Sequence, residues 1–148
     1  MRVPNYKLVL KETGTYNADA RKKYNDPQLI AEFALMQMNL TEEVEEYVEV
    51  FCMDTQYHLM CTFEASHGAA TGTMFAVREI FQKALIAGAV NIIVVHNHPS
   101  GDVEPSADDI ASTRQLAQAG KIIGINVADH IIVGKYHDYY SFNQEGQL

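Results

Sequence analysis

Cysteine is scarce in this 148-residue chain: Cys52 and Cys61 are the only two, and both sit inside apolar, strand-like segments. Two thiols cannot build a disulfide framework, and a small buried side chain is the ordinary role for each. A reducing, cytoplasmic setting with no pairing between them is therefore expected. Long apolar runs are missing as well. No stretch reaches the ~18 uninterrupted apolar residues that a membrane-crossing helix needs, and Met1 to Asn5 carry one Arg with no apolar run behind it. Neither export nor a membrane span is expected. Basic charge is in deficit, since 11 Lys and Arg against 19 Asp and Glu give a formal net charge of −8. Such a chain repels a polyanion at long range, so nucleic acid is not an expected partner. The one basic cluster, Lys7, Lys11, Arg21, Lys22 and Lys23, fits a solvated extension better than a phosphate track. Internal repeats and low-complexity tracts are absent too, which excludes solenoids and linker arrays.

What is present is a 47% hydrophobic fraction, enough for one domain to bury a core of its own. Residues 1–25 read as an N-terminal appendage and 26–148 as the folded domain. Asp26-Pro27 opens a helix, whose apolar positions Leu29, Ile30, Phe33, Ala34, Met36 and Met38 recur near the helical period until Asn39. Tyr47 to Met53 and His58 to Phe63 are rich in strand formers around the turn Asp54-Thr55-Gln56, which predicts a hairpin. Gly68 and Gly72 mark a loop. Val77, Ile80, Phe81, Ala84 and Leu85 then line a helix that stops near Gly88. Val90 to Val95 is a continuous apolar strand, the pattern of one covered on both faces. Ser106 caps a helix expected to run to Gly120, a strand is expected from Ile122 to Val133 with a break near Asn126, and Tyr139 to Phe142 gives a last short strand. Alternating strands and helices predict an α/β sheet with helices on its faces and an antiparallel first pair.

The sharpest feature is His96-Asn97-His98-Pro99-Ser100-Gly101, expected immediately after the apolar strand. In extended backbone, residues two apart project to one side, so His96 and His98 can offer two imidazoles to one ion. Asp109 falls on the first turn of the helix capped by Ser106 and can add a carboxylate. Two histidines and one carboxylate leave a fourth tetrahedral position open, the design of a catalytic Zn²⁺ site rather than a closed structural one. A lone His-x-His pair would mean little. Here His-x-His, seven residues, Ser, two residues and Asp follow one another at His96, His98, Ser106 and Asp109.

That pattern resembles the metal motif of the JAB/MPN+ (JAMM) zinc metallopeptidases, and the sequence around it is similar to the RadC-like branch. The similarity continues through Arg78-Glu79-Ile80-Phe81, Ala119 to Ile125, Asp129-His130-Ile131-Ile132-Val133-Gly134 and Tyr140-Ser141-Phe142, covering about residues 40–143. The resemblance implies a JAB/MPN, cytidine-deaminase-like mixed β-sheet flanked by helices. It also implies a metal held by His96, His98 and Asp109, with a protein or peptide substrate. An upstream glutamate would serve as proton carrier. Glu46 is chosen because Glu46 to Asp54 is similar to the Glu-x-Phe-x-Val-Leu-x-Leu-Asp segment of RadC-like proteins; Glu45, Glu49, Glu64 and Glu79 stay as alternatives. Ser106 resembles the serine that helps hold a tetrahedral oxyanion, a donor role compatible with accepting a bond as N-cap. Asn97 is expected to shape the loop, and His130 to be a hydrogen-bonded structural group with support of the site left open.

Three function classes follow. The first is hydrolysis of a peptide or isopeptide bond by metal-activated water. The second, a DNA-repair-associated role, is disfavoured by charge and by the absence of the helix-hairpin-helix-like portion of longer RadC-like proteins. The third, a non-catalytic metal-stabilised interaction module, has no need of an open coordination position. A zinc deaminase would require a Pro-Cys-x-x-Cys pair, which neither cysteine supplies.

Overall fold

The computed structural model describes residues 3–7, 9–68 and 76–148; Gly72, the expected loop marker, lies outside them. Helix α1 spans Pro27–Met38, with the Asp26 side chain accepting from the Gln28 N–H and Asn39 ending it in the left-handed region. A short 3-10 turn, Leu40–Glu42, leads to the hairpin β1 (Tyr47–Met53) and β2 (Leu59–His67). Then follow α2 (Val77–Ala87), β3 (Asn91–Asn97), α3 (Ala107–Ile123), β4 (Asn126–Val133), a second 3-10 turn (Lys135–His137) and β5 (Tyr139–Ser141).

Among the described residues these strands form one five-stranded sheet in the order β2-β1-β3-β4-β5. β1 runs antiparallel to both β2 and β3, β3 is parallel to β4, and β5 returns antiparallel on β4. The mixed α/β sheet flanked by three helices is the expected fold class. Period-two alternation divides the core into two layers. Val48, Val50, Cys52, Ile92 and Val94 pack with Ile80, Phe81 and Leu116 of α2 and α3. Phe51, Met53, Ile93, Val95, Ile131 and Val133 pack on Ile30, Phe33 and Ala34 of α1. Every residue of β3 is buried, as a strand covered on both faces requires.

Four boundaries differ from expectation by two residues or more, each for a pairing or packing reason. β3 does not stop at Val95: His96 and Asn97 continue it, because Val48 of β1 and Ile132 of β4 flank His96 in the ladder. β2 runs on to His67, since Ser66 and His67 still have Val48 and Tyr47 as partners. α3 passes through Gly120 to Ile123 and is capped by Gly124 at φ +84°. Gly120 is a packing residue: a Cβ there would lie 2.5 Å from the Ile125 carbonyl oxygen and 3.0 Å from Val127 Cγ2. Ile122 and Ile123 therefore finish a helix, and the strand expected from Ile122 begins at Asn126. At the other end of the chain, the described residues up to Lys23 are exposed, while Lys23 bridges to His58 and Tyr24 is buried against Phe33.

Candidate metal centre

His96 follows Ile92 and Val94 in the strand alternation, so its ring enters the layer under α3, where it is fully buried. His98 lies one residue beyond β3. Its Nδ1 stands 2.7 Å from the carbonyl oxygen of Asp102 in the following turn. A carbonyl only accepts, so Nδ1 carries a proton and Nε2 is left to face inward, 3.0 Å from His96 Nε2.

Asp109 reaches the same point from α3. A capping box holds it: Ser106 Oγ accepts from the Asp109 N–H at 3.1 Å, and Asp109 Oδ2 accepts from the Ser106 N–H at 2.7 Å. The Ser106 hydroxyl also donates to Oδ2 at 2.6 Å. With Oδ2 so occupied, Oδ1 is turned to His96 Nε2 at 3.2 Å and, though buried, has no hydrogen-bond partner among the described residues. Glu46 completes the group from the segment entering β1, its Oε1 3.6 Å from His96 Nε2 and likewise buried without a hydrogen bond among the described residues. One ligand atom from each of Glu46, His96, His98 and Asp109 lies within 4.8 Å of the others, so the four could hold a metal ion.

The electrostatics agree with a cation site. Burial acts against the Asp109 charge, yet positive charge on the His96 and His98 imidazoles, with the Ser106 hydroxyl, outweighs it and holds its carboxyl well below the usual range. The neighbouring Asp109 raises the proton affinity of His98 above that of an ordinary histidine. Two buried carboxylate oxygens without donors are costly unless a cation faces them. A single proton could satisfy one of them; a metal ion could serve the whole set.

Of the glutamates weighed, Glu46 alone joins this cluster. Glu45 supplies a backbone carbonyl to Asn97. Glu49 sits within the β1 ladder opposite Glu64, where burial first and Glu64 second push its carboxyl up to about 7 against the pull of Lys83. Glu64 pairs with His67, and Glu79 with Arg78 on the exposed side of α2.

Two residues matter more than sequence reasoning allowed. Asn97 alternates with His96 and so points to the opposite face, fully buried. Its Oδ1 accepts from the Tyr47 N–H at 2.7 Å and its Nδ2 donates to the Glu45 carbonyl at 3.0 Å. One amide thus clamps the backbone on both sides of Glu46, whose own carbonyl accepts from the Gly68 N–H at 2.9 Å. Thr113, one helical turn after Asp109, stands between that helix and the buried His130. Its signal was the i, i+4 spacing from Asp109.

A family profile described as "RadC-like JAB domain" matches residues 24–147. The chain belongs to that family. The RadC-like JAB domain is 41% identical to a UPF0758 protein of Thermotoga maritima over 103 residues, 70% of this chain and 46% of the relative. It is 33% identical to a UPF0758 protein of Methanosarcina barkeri over 132 residues, 89% of this chain and 56% of that protein. A third, from Desulfitobacterium hafniense, is 36% identical over 128 residues, 86% of this chain and 55% of the relative. The chain spans about half the length of the curated relatives it matches. Among the described residues of this RadC-like JAB domain, no helix is long and apolar enough to cross a membrane.

Proposed function

We propose that this domain is a zinc-dependent hydrolase that cleaves a peptide or isopeptide bond, with His96, His98 and Asp109 as the metal ligands. The observation that carries this reading is the pair of buried oxygens, Asp109 Oδ1 and Glu46 Oε1, that have no donor among the described residues and face two imidazole nitrogens. Ligands about 2.0–2.1 Å from a tetrahedral zinc stand roughly 3.3 Å from one another. The spacings of 3.0 Å between His96 and His98 Nε2 and 3.2 Å from His96 Nε2 to Asp109 Oδ1 suit that ion. Two histidines with one carboxylate also match the ligand set of hydrolytic zinc sites.

When bound, zinc supplies Lewis-acid polarisation of a carbonyl and makes water acidic enough to attack near neutral pH. The chain's own residues do the rest. Glu46 comes from a different element than the three ligands, beside them, where its carboxylate can take a proton from the attacking water and hand it to the leaving amine. Asn97 and Gly68 hold the Glu46 backbone in place for that transfer. Ser106 is the candidate oxyanion donor, but its hydroxyl proton is spent on Asp109 Oδ2, so it must rotate before it can serve.

The test is peptide-library hydrolysis by the zinc-loaded protein, with and without a chelator, beside Glu46→Gln. Cleavage that the chelator abolishes and that Glu46→Gln lacks, while still binding zinc, supports the reading. If Glu46→Gln loses the metal instead, Glu46 is a fourth ligand and the closed site argues against hydrolysis.

A further inference from the structure

Beneath the candidate ligands runs a line of hydrogen bonds whose proton directions can be read from one end. It begins at the Asp109 main-chain carbonyl, 2.6 Å from Thr113 Oγ1. A carbonyl has no proton to give, so the single hydroxyl proton of Thr113 is directed there. Thr113 Oγ1 is also 2.6 Å from His130 Nδ1, and having spent its proton it must accept. His130 therefore carries hydrogen on Nδ1. Its other nitrogen, Nε2, lies 2.8 Å from His96 Nδ1. In the neutral His130 ring Nε2 can only accept, so His96 places its hydrogen on Nδ1 and keeps a lone pair on Nε2. That is the nitrogen facing His98, Asp109 and Glu46.

We propose that Thr113 and His130 are positioning residues that fix His96 in the Nδ1–H form and so ready its Nε2 to bind a metal. The inference rests on the zinc reading above for its purpose, though not for its proton directions. Packing supports the line from the side. The His130 ring stacks on Phe142 with centroids 4.6 Å apart and planes within 10°, which resists the ring flip that would exchange its nitrogens. His130 and Thr113 are both buried, so water does not compete for these bonds. Asp109 is thereby used twice, its carboxylate at the centre and its carbonyl as the acceptor that orients the chain of donors. A partner that orients a metal-ligating histidine in this way is typically worth 10–100-fold in metal affinity.

The experiment uses the full chain with ¹⁵N-labelled histidine, metal-free and mildly alkaline. Long-range proton–nitrogen correlation reads which ring nitrogen bears hydrogen, and a chromophoric chelator competes for zinc. Wild type and Thr113→Ser should both place hydrogen on Nδ1 of His96 and His130 and bind zinc alike. Thr113→Val should stay folded, lose the fixed Nδ1–H signature at His96, and bind zinc about 10–100-fold more weakly. Hydrogen on His96 Nε2 in metal-free wild type overturns the proposal whatever the variants do. So does Thr113→Val with an unchanged signature and unchanged affinity, and so does Thr113→Ser failing to restore both. If wild type shows the Nδ1–H signature yet binds no zinc, the proton directions stand and the zinc reading falls, taking the metal purpose of the relay with it.

Discussion

Replacing Asn97 by alanine separates the candidate metal ligands from the group proposed to act beside them. The amide is fully buried and makes two long-range bonds, accepting from the Tyr47 N–H and donating to the Glu45 carbonyl. Alanine leaves both backbone groups without that partner, and an unsatisfied buried polar group costs about 1–3 kcal/mol. Partial access of water where Glu46 meets solvent reduces the sum, so Asn97→Ala should destabilise the fold by about 2–4 kcal/mol. Asn97→Asp keeps the acceptor for Tyr47 and loses the donor to Glu45, beside an already acidic segment, so its loss should be comparable. His96, His98 and Asp109 make no bond to this amide, so zinc affinity should stay within a few-fold of wild type. Urea denaturation measures the first quantity and chelator competition the second. Unchanged stability would refute the clamp, and zinc loss as large as that of a ligand variant would show that Asn97 supports the metal rather than Glu46.

Further outcomes can be checked on the same preparation. Glu46→Gln should retain zinc and melt like wild type while losing ~10²–10⁴-fold in hydrolysis rate, the usual cost of a general base; turnover within a few-fold of wild type removes Glu46 from that role. Glu49 has a carboxyl raised to about 7, so protonation favours the fold. Its stability contribution is complete below pH ~4.5 and is lost as pH rises through about 7. Glu49→Gln should therefore gain up to about 3 kcal/mol over wild type above that window and little below it, read from denaturation at several pH values; a constant difference across pH would contradict this. Deleting residues 1–22 should leave zinc affinity unchanged and cost little stability, since the described part is exposed and Tyr16, which meets Phe33 edge-on, is itself 48% exposed. Duplex DNA should bind weakly and with strong salt dependence, given the net charge of −8; tight binding in moderate salt, surviving that deletion, would overturn the expectation.

The three candidate ligands were legible in sequence because their convergence is local. His98 lies just past β3, two residues from His96, and meets it at Nε2, and the capping box fixes Asp109 three residues after Ser106. Glu46 was not legible in that way. Its place depends on the antiparallel register of β1 with β3, where Val48 stands opposite His96 and two further residues set Glu46 beside His98. Nothing in residues 42–49 encodes that register, and only the family resemblance chose among five glutamates. Gly120 misled for a related reason. A glycine after a helical run looks like a stop, but this one lets α3 approach the start of β4 closely, a demand visible only once the two elements are packed. His130 looked like a lone histidine on an apolar strand until Thr113 and His96 were found on either side of it.

The most direct measurement is X-ray absorption at the zinc edge on protein loaded with one equivalent of zinc, beside His98→Ala. The expected result is a four-coordinate shell of two imidazole nitrogens and two oxygens in the wild type, with one imidazole lost in the variant. Sulfur scattering, which would place the ion at Cys52 and Cys61, or a shell unchanged by His98→Ala in a folded protein, would contradict it.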